Sequence, residues 1–153
     1  MFGQLSHELE VNVPASEAWE IYGTLGISKL LKAMEAGVGL FSRKHLCQVT
    51  NLSMLTWFTV HKEKFTKLDN EKCMKEPEVI KVGYLDLGFT LFCVCVKIIE
   101  NDNVSCIIKS TIEYDVKEEV VANTLYVNTD IVAKIAEVAK NYLIKNKATK
   151  NVA

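Results

Sequence analysis

Residues 61–76 read HKEKFTKLDNEKCMKE, with charge and carbon alternating on both sides of an Asp69-Asn70 turn signal. Read as a hairpin, this stretch decides which side chains can face a core. A two-residue loop at Asp69-Asn70 sets Lys64 opposite Lys75 and Glu63 opposite Glu76, and like charges directly across a ladder are destabilising. A three-residue loop over Asp69, Asn70 and Glu71 instead sets Lys64 against Glu76 and Lys62 against Glu78, opposite charges sharing one face. The other face then gathers His61, Glu63, Phe65, Cys73 and Lys75. Exposed, a Glu63–Lys75 pair contributes only ~0–1 kcal/mol. Buried, it is different: desolvation lowers a lysine pKa and raises a glutamate pKa, bringing both toward the range where they exchange protons.

Working outward, residues 4 to 13 alternate, with Leu5, Leu9, Val11 and Val13 on one face and Gln4, Ser6, Glu8, Glu10 and Asn12 on the other, the pattern of a half-buried strand. Pro14-Ala15-Ser16-Glu17 opens a short helix carrying Ala18, Trp19 and Tyr22, halted near Gly23 and Gly26. A second short helix is expected over 28–34. From Cys47 onward, β-branched and aromatic runs at 47 to 60, 61 to 68, 72 to 82, 84 to 100 and 104 to 116 are separated by turn sequences and predict consecutive antiparallel strands. Ile131, Ile135, Val138, Ala139 and Tyr142 then recur at helical spacing with Lys134, Lys140 and Lys145 outside, and Thr129 or Asp130 can cap this closing helix. The order predicts an α+β fold, a curved antiparallel sheet on one long helix, able to enclose a cavity that suits a small ligand.

At 153 residues, 49% of them hydrophobic, the chain suits a single domain spanning 1–153. A formal net charge of -1, without basic runs or aromatic-basic stripes, argues against nucleic acid. Apolar runs such as Leu91 to Val96 fall far short of the ~20 residues that span a membrane. MFGQLSHELE has no charged n-region followed by an apolar h-region, so a cytoplasmic address, extending to the nucleus, is the expectation. The five cysteines are odd in number and scattered, as expected of reduced thiols, and the Cys93-Cys95 spacing does not match a zinc ligand pair.

The strings LSHELEVNVPASEAWEIYG, HKEKFTKLDNEK, GYLDLGFT and SCIIKSTIEYDVKEE, in this order, resemble the plant norcoclaurine synthases. These belong to the birch-pollen-allergen superfamily of pathogenesis-related class ten proteins; the norbelladine synthases of that superfamily are also similar. The resemblance implies a seven-stranded sheet gripping a long C-terminal helix around a hydrophobic tunnel, with two short helices closing one end. It implies a cofactor-free condensing lyase that joins dopamine to 4-hydroxyphenylacetaldehyde through a lysine, a glutamate, a tyrosine and an aspartate. The family's lysine falls on Lys75 and its glutamate on Glu63, while His61 stands at the tyrosine position and Val94 at the aspartate position. Lys75 would protonate or hold the aldehyde oxygen, and Glu63 would take the ring proton after closure. Residues 33 to 60 are shorter than is usual in the family, and its glycine-rich loop is either reduced to Gly37-Val38-Gly39 or absent.

Within this frame His61 is either a substitute hydrogen-bond donor of suitable pKa or a strand histidine at a cavity mouth. Phe65, Tyr84, Phe89 and Phe92 either line the aromatic ligand's pocket, with Val94, or form plain core. Metal and cofactor are not expected, and the protein is expected as a monomer or weak dimer. The resemblance also implies a second possibility, a non-catalytic carrier or receptor for cytokinins, flavonoids or abscisic acid, with some relatives linked to phosphatase inhibition in hormone signalling.

Overall fold

Alternation in FGQLSHELEV produces what period two requires: β1 (Phe2–Val11) exposes every even residue and turns Gly3, Leu5, His7, Leu9 and Val11 inward. The computed structural model describes residues 1–24, 26, 27, 29, 30, 62–81 and 83–152. Its further strands are β2 (Lys62–Asp69), β3 (Met74–Lys81), β4 (Phe89–Asp102) and β5 (Ser105–Val116). They form one antiparallel sheet in the order β1-β5-β4-β3-β2. Of the seven strands expected, these five lie among the described residues; the run 47 to 60 lies outside them. So does most of the second short helix, although residues 26, 27, 29 and 30 have helical backbone.

The β2–β3 hairpin corrects the expected loop. Asp69 pairs with Met74, so the turn spans Asn70 to Cys73, and Lys64 meets Glu78 while Lys67 meets Glu76. In the backbone register two lysine–glutamate pairings remain, whereas Lys62, expected against Glu78, stands at the position opposite Lys81. The longer turn has a local cause: Asp69 Oδ1 accepts the Lys72 backbone N–H at 2.9 Å, and Cys73 adopts a left-handed φ of 47°. A side-chain acceptor holding the backbone N–H three residues on offers the chain an alternative to the shorter loop. A bulge between Phe65 and Lys67 absorbs Thr66, whose hydroxyl donates to the Glu76 carbonyl at 2.9 Å.

A strand was also expected from residue 84, but Gly83–Leu87 forms a 3-10 turn and β4 begins only at Phe89. Gly88, at φ 86°, supplies a conformation that other residues adopt only with strain. A second 3-10 segment, Glu118–Tyr126, leads to the closing helix.

Among the described residues the inner face is covered by α1 (Ala15–Tyr22) on β4 and β5 and by α2 (Asp130–Val152) on β1 and β5. α1 starts at the Pro14 carbonyl, which accepts from Glu17 and Ala18, and ends at Gly23, whose N–H reaches the Trp19 carbonyl at 2.7 Å. At the start of α2 the Thr129 carbonyl accepts the Ala133 N–H, as expected of a cap, but the side-chain oxygen comes from Asn128, which accepts from Asp130. The buried stripe of α2 centres on Val132, Ala136, Ala139 and Leu143. Tyr142, expected inside, is 41% exposed. The buried stripe runs through Ala136 and Ala139, both fully buried, and Tyr142 lies off it.

Candidate active site

β3 alternates as a strand should, burying Lys75 and Pro77 and leaving Glu76 and Glu78 half-buried on the other side. Lys75, 7% exposed, has Leu68 and Val96 as its lateral partners. Val96 in turn pairs with Ser110, and Ser110 with His7. One row thus crosses all five strands, Leu68, Lys75, Val96, Ser110, His7, at ~4.8 Å per step. Ser110 is buried, and Nδ1 of His7 is buried with no hydrogen-bond partner among the described residues.

Above Lys75 lies the end of α1. Trp19 Nε1 donates to Asn70 Oδ1 at 3.1 Å, tying the helix to the β2–β3 turn. Three residues on, the Tyr22 ring centroid lies 5.9 Å from Lys75 Nζ, inside the range where an aromatic face attracts a cation. Tyr22 is 2% exposed and its hydroxyl has no hydrogen-bond partner among the described residues. Burial, with a smaller contribution from Cys106, holds this phenol well above the usual tyrosine range. It is therefore a neutral donor at any working pH.

Val94 is buried on the same face, paired with Ile112 and two residues from Val96. That makes it a diagonal neighbour of Lys75, at ~7–8 Å between backbones. Further along, Tyr84 stacks on Phe92 with centroids 3.8 Å apart, and Phe89 meets both rings edge-on at 5.3 and 6.2 Å. Tyr114, lying across Gly3, completes this cluster. Four residues of strand separate Phe92 from the level of Lys75, roughly 13 Å. The three aromatic candidates are thus brought together, and Lys75 stands apart from them with Val94 between.

Glu63 pairs with Val79 and Phe65 with Pro77, positions that share the Lys75 face by alternation; the side chains of Glu63 and Phe65 lie outside those described. His61 lies outside the described residues altogether. Among the described residues no three His, Cys, Asp or Glu side chains gather as a metal-ligand set, and no helix is long and apolar enough to cross a membrane. Cys73, Cys93, Cys95 and Cys106 are free thiols.

No protein-family profile matches the chain. It is 36% identical to norbelladine synthase of Narcissus pseudonarcissus, an alignment covering 97% of this chain and 96% of that one. The chain belongs to the family of norbelladine and norcoclaurine synthases, within the birch-pollen-allergen superfamily. It is also 30% identical to S-norcoclaurine synthase of Thalictrum flavum subsp. glaucum, over 96% of this chain and 73% of the relative. A Thalictrum flavum norcoclaurine synthase solved with dopamine and hydroxybenzaldehyde shares the fold, with TM-score 0.69 and 24% identity over 95% of this chain and 88% of that one.

Tyr22 and Trp19 were legible in the sequence only as residues carried by the short helix. The available signal for Tyr22 was chemical rather than periodic, since a phenylalanine fills a core position without bringing a hydroxyl that must be satisfied.

Proposed function

We propose that this protein condenses an arylethylamine with an aromatic aldehyde, dopamine with 4-hydroxyphenylacetaldehyde being the first pair to test, in a cavity between the inner face of the sheet and α2. The observation that carries this reading is the burial of Lys75 on that face, 7% exposed beneath Tyr22, in a chain of this family. The amine nitrogen attacks the carbonyl carbon, and the carbonyl oxygen takes a proton from the Lys75 ammonium. A proton of the newly bonded nitrogen passes to the same oxygen, which then leaves as water, and the C–O bond electrons go with it to give an iminium. The electron-rich ring then attacks the iminium carbon, and Glu63 removes the displaced ring proton, restoring aromaticity. His61 serves as a further hydrogen-bond donor, and Phe65, Tyr84, Phe89, Phe92 and Val94 make the apolar part of the site. General acid–base groups of this kind contribute typically ~10²- to 10⁴-fold.

Incubating the pure protein with dopamine and 4-hydroxyphenylacetaldehyde, then resolving the product enantiomers, tests the reading. One enantiomer in excess, formed above the buffer rate, is the expected result; a racemate at the buffer rate sinks it. Val94 favours the carrier alternative, because a buried aliphatic side chain occupies the place of the family's carboxylate. A carrier would displace a bound apolar dye with flavonoids, cytokinin or abscisic acid while forming no product.

A further inference from the structure

We propose that the Tyr22 hydroxyl is a second hydrogen-bond donor to the aldehyde oxygen of the bound ligand, acting beside Lys75. The inference rests on the condensation reading above and adds a residue to it. Its basis is a buried hydroxyl without a partner among the described residues, on a ring whose centroid lies 5.9 Å from Lys75 Nζ. Leaving a buried donor unsatisfied is costly, and a phenylalanine would fill the same space without that cost. An oxygen that arrives with the ligand resolves the deficit. The one Lys75 is proposed to protonate is the oxygen nearest at hand, so the two donors converge on the atom where negative charge develops as the amine adds. Because burial holds the phenol above its usual range, Tyr22 donates a hydrogen bond and keeps its proton, leaving proton transfer to Lys75. The helix that carries it is anchored for the purpose: the Trp19–Asn70 hydrogen bond fixes the end of α1 over the hairpin bearing Lys75. His7, the other buried group without a partner among the described residues, sits three strands from Lys75 in the row, ~14 Å away, too far to share that oxygen.

Tyr22→Phe keeps the ring and its contact with Lys75 and removes only the hydroxyl. Calorimetric titration of wild type and Tyr22→Phe with benzaldehyde and with toluene, alongside thermal melting, separates the roles. Loss of one hydrogen bond should weaken benzaldehyde binding by about tenfold, leave toluene binding unchanged, and leave the melting temperature of the free protein unchanged or higher. Equal weakening for both ligands, or a lower melting temperature, would assign Tyr22 to packing and overturn the proposal. Unchanged benzaldehyde binding in Tyr22→Phe would overturn the proposal alone. Failure of the wild type to bind either aromatic compound would overturn the condensation reading and this inference with it.

Discussion

Val94→Asp introduces the carboxylate that the family resemblance implies at this position, and the surroundings of Val94 set what it should do. The side chain is buried, paired with Ile112, and diagonal to Lys75 through Val96. Giving up the buried valine costs roughly 1.5–3 kcal/mol, and desolvating a carboxylate costs several kcal/mol more. Against this stands the attraction of Lys75, about 4 kcal/mol at 4 Å and an effective dielectric near 20. A net loss of roughly 2–4 kcal/mol follows, bearable for a domain with ~5–15 kcal/mol of stability.

The pH dependence decides whether the pair forms. If Lys75 reaches the new carboxylate, the folded pKa falls below the unfolded value of ~3.9, so the stabilisation is present above that value and is lost as pH falls through the folded pKa. If burial dominates, the folded pKa rises above ~3.9, and the variant gains stability as pH falls from 7 toward 4. Urea unfolding of Val94→Asp and Val94→Asn between pH 7 and pH 3.5 isolates the charge, because the two differ little in volume. The expected result is an advantage for Val94→Asp at pH 7 of ~1–3 kcal/mol that persists to about pH 4 and only begins to fall at the acid end of the range. An advantage for Val94→Asn at pH 7 that closes on acidification would refute the placement of Val94 within reach of Lys75. With the pair formed, Val94→Asp combined with His61→Tyr should raise condensation about tenfold, the equivalent of one charged hydrogen bond to the amine.

Lys75→Met keeps the length of the buried stem and removes the ammonium; condensation should fall ~10²- to 10⁴-fold, and a fall of less than about threefold in measured turnover would exclude Lys75 as the main acid. Gly88→Ala places a methyl group 2.5 Å from Val120 Cγ2 at a φ of 86°, so chemical unfolding should show a loss of ~1–3 kcal/mol, whereas no loss would mean that the 118–126 segment yields freely. Burial pushes the Cys93 thiol up to about 12 and the Cys106 thiol up to about 11. Both should resist alkylation at pH 8 in the native protein and react once it is unfolded. Because the unfolded thiols ionise first, near ~8.5, stability should fall with rising pH between that value and about 11, as thermal melting across that range would show.

How much of this was readable beforehand differs by element, for physical reasons. β1 was plain because each of its residues has one buried and one exposed alternative, and LSHELEV alternates without a break. The stripe of α2 was plain in period but not in rotation, because periodicity does not say which of several apolar residues a helix turns to the sheet, and Tyr142 falls outside the buried set. The 3-10 turn at Gly83–Leu87 was hidden because GYLDL has strand-like residues, and only Tyr84 stacking back on Phe92 shows why the chain turns there. The partnerless hydroxyl of Tyr22 could not be seen at all, since a missing hydrogen bond is a property of the assembled interior.

The hairpin shows why the placement of Lys75 survived an error in its register. The expected loop paired Lys64 with Glu76, whereas the structure pairs Lys64 with Glu78, a slip of two residues. Side-chain direction in a strand has period two, so an even slip leaves every residue on its own face and an odd one inverts them all. Charge complementarity fixed only the parity: it forbade Lys64 against Lys75 but could not distinguish Glu76 from Glu78. Loop length was decided elsewhere, by the Asp69 side chain capturing the Lys72 N–H and by Cys73 accepting a left-handed φ. The single-residue bulge at Thr66 then takes up the odd remainder, so that Leu68 rather than a charged residue stands opposite Lys75. At the Lys75 rung the slip is three, from Phe65 to Leu68, and it is the bulge together with the even slip beyond it that keeps Lys75 on the face turned toward Tyr22; the chemistry of the site depends on that face more than on the pairing that produced it.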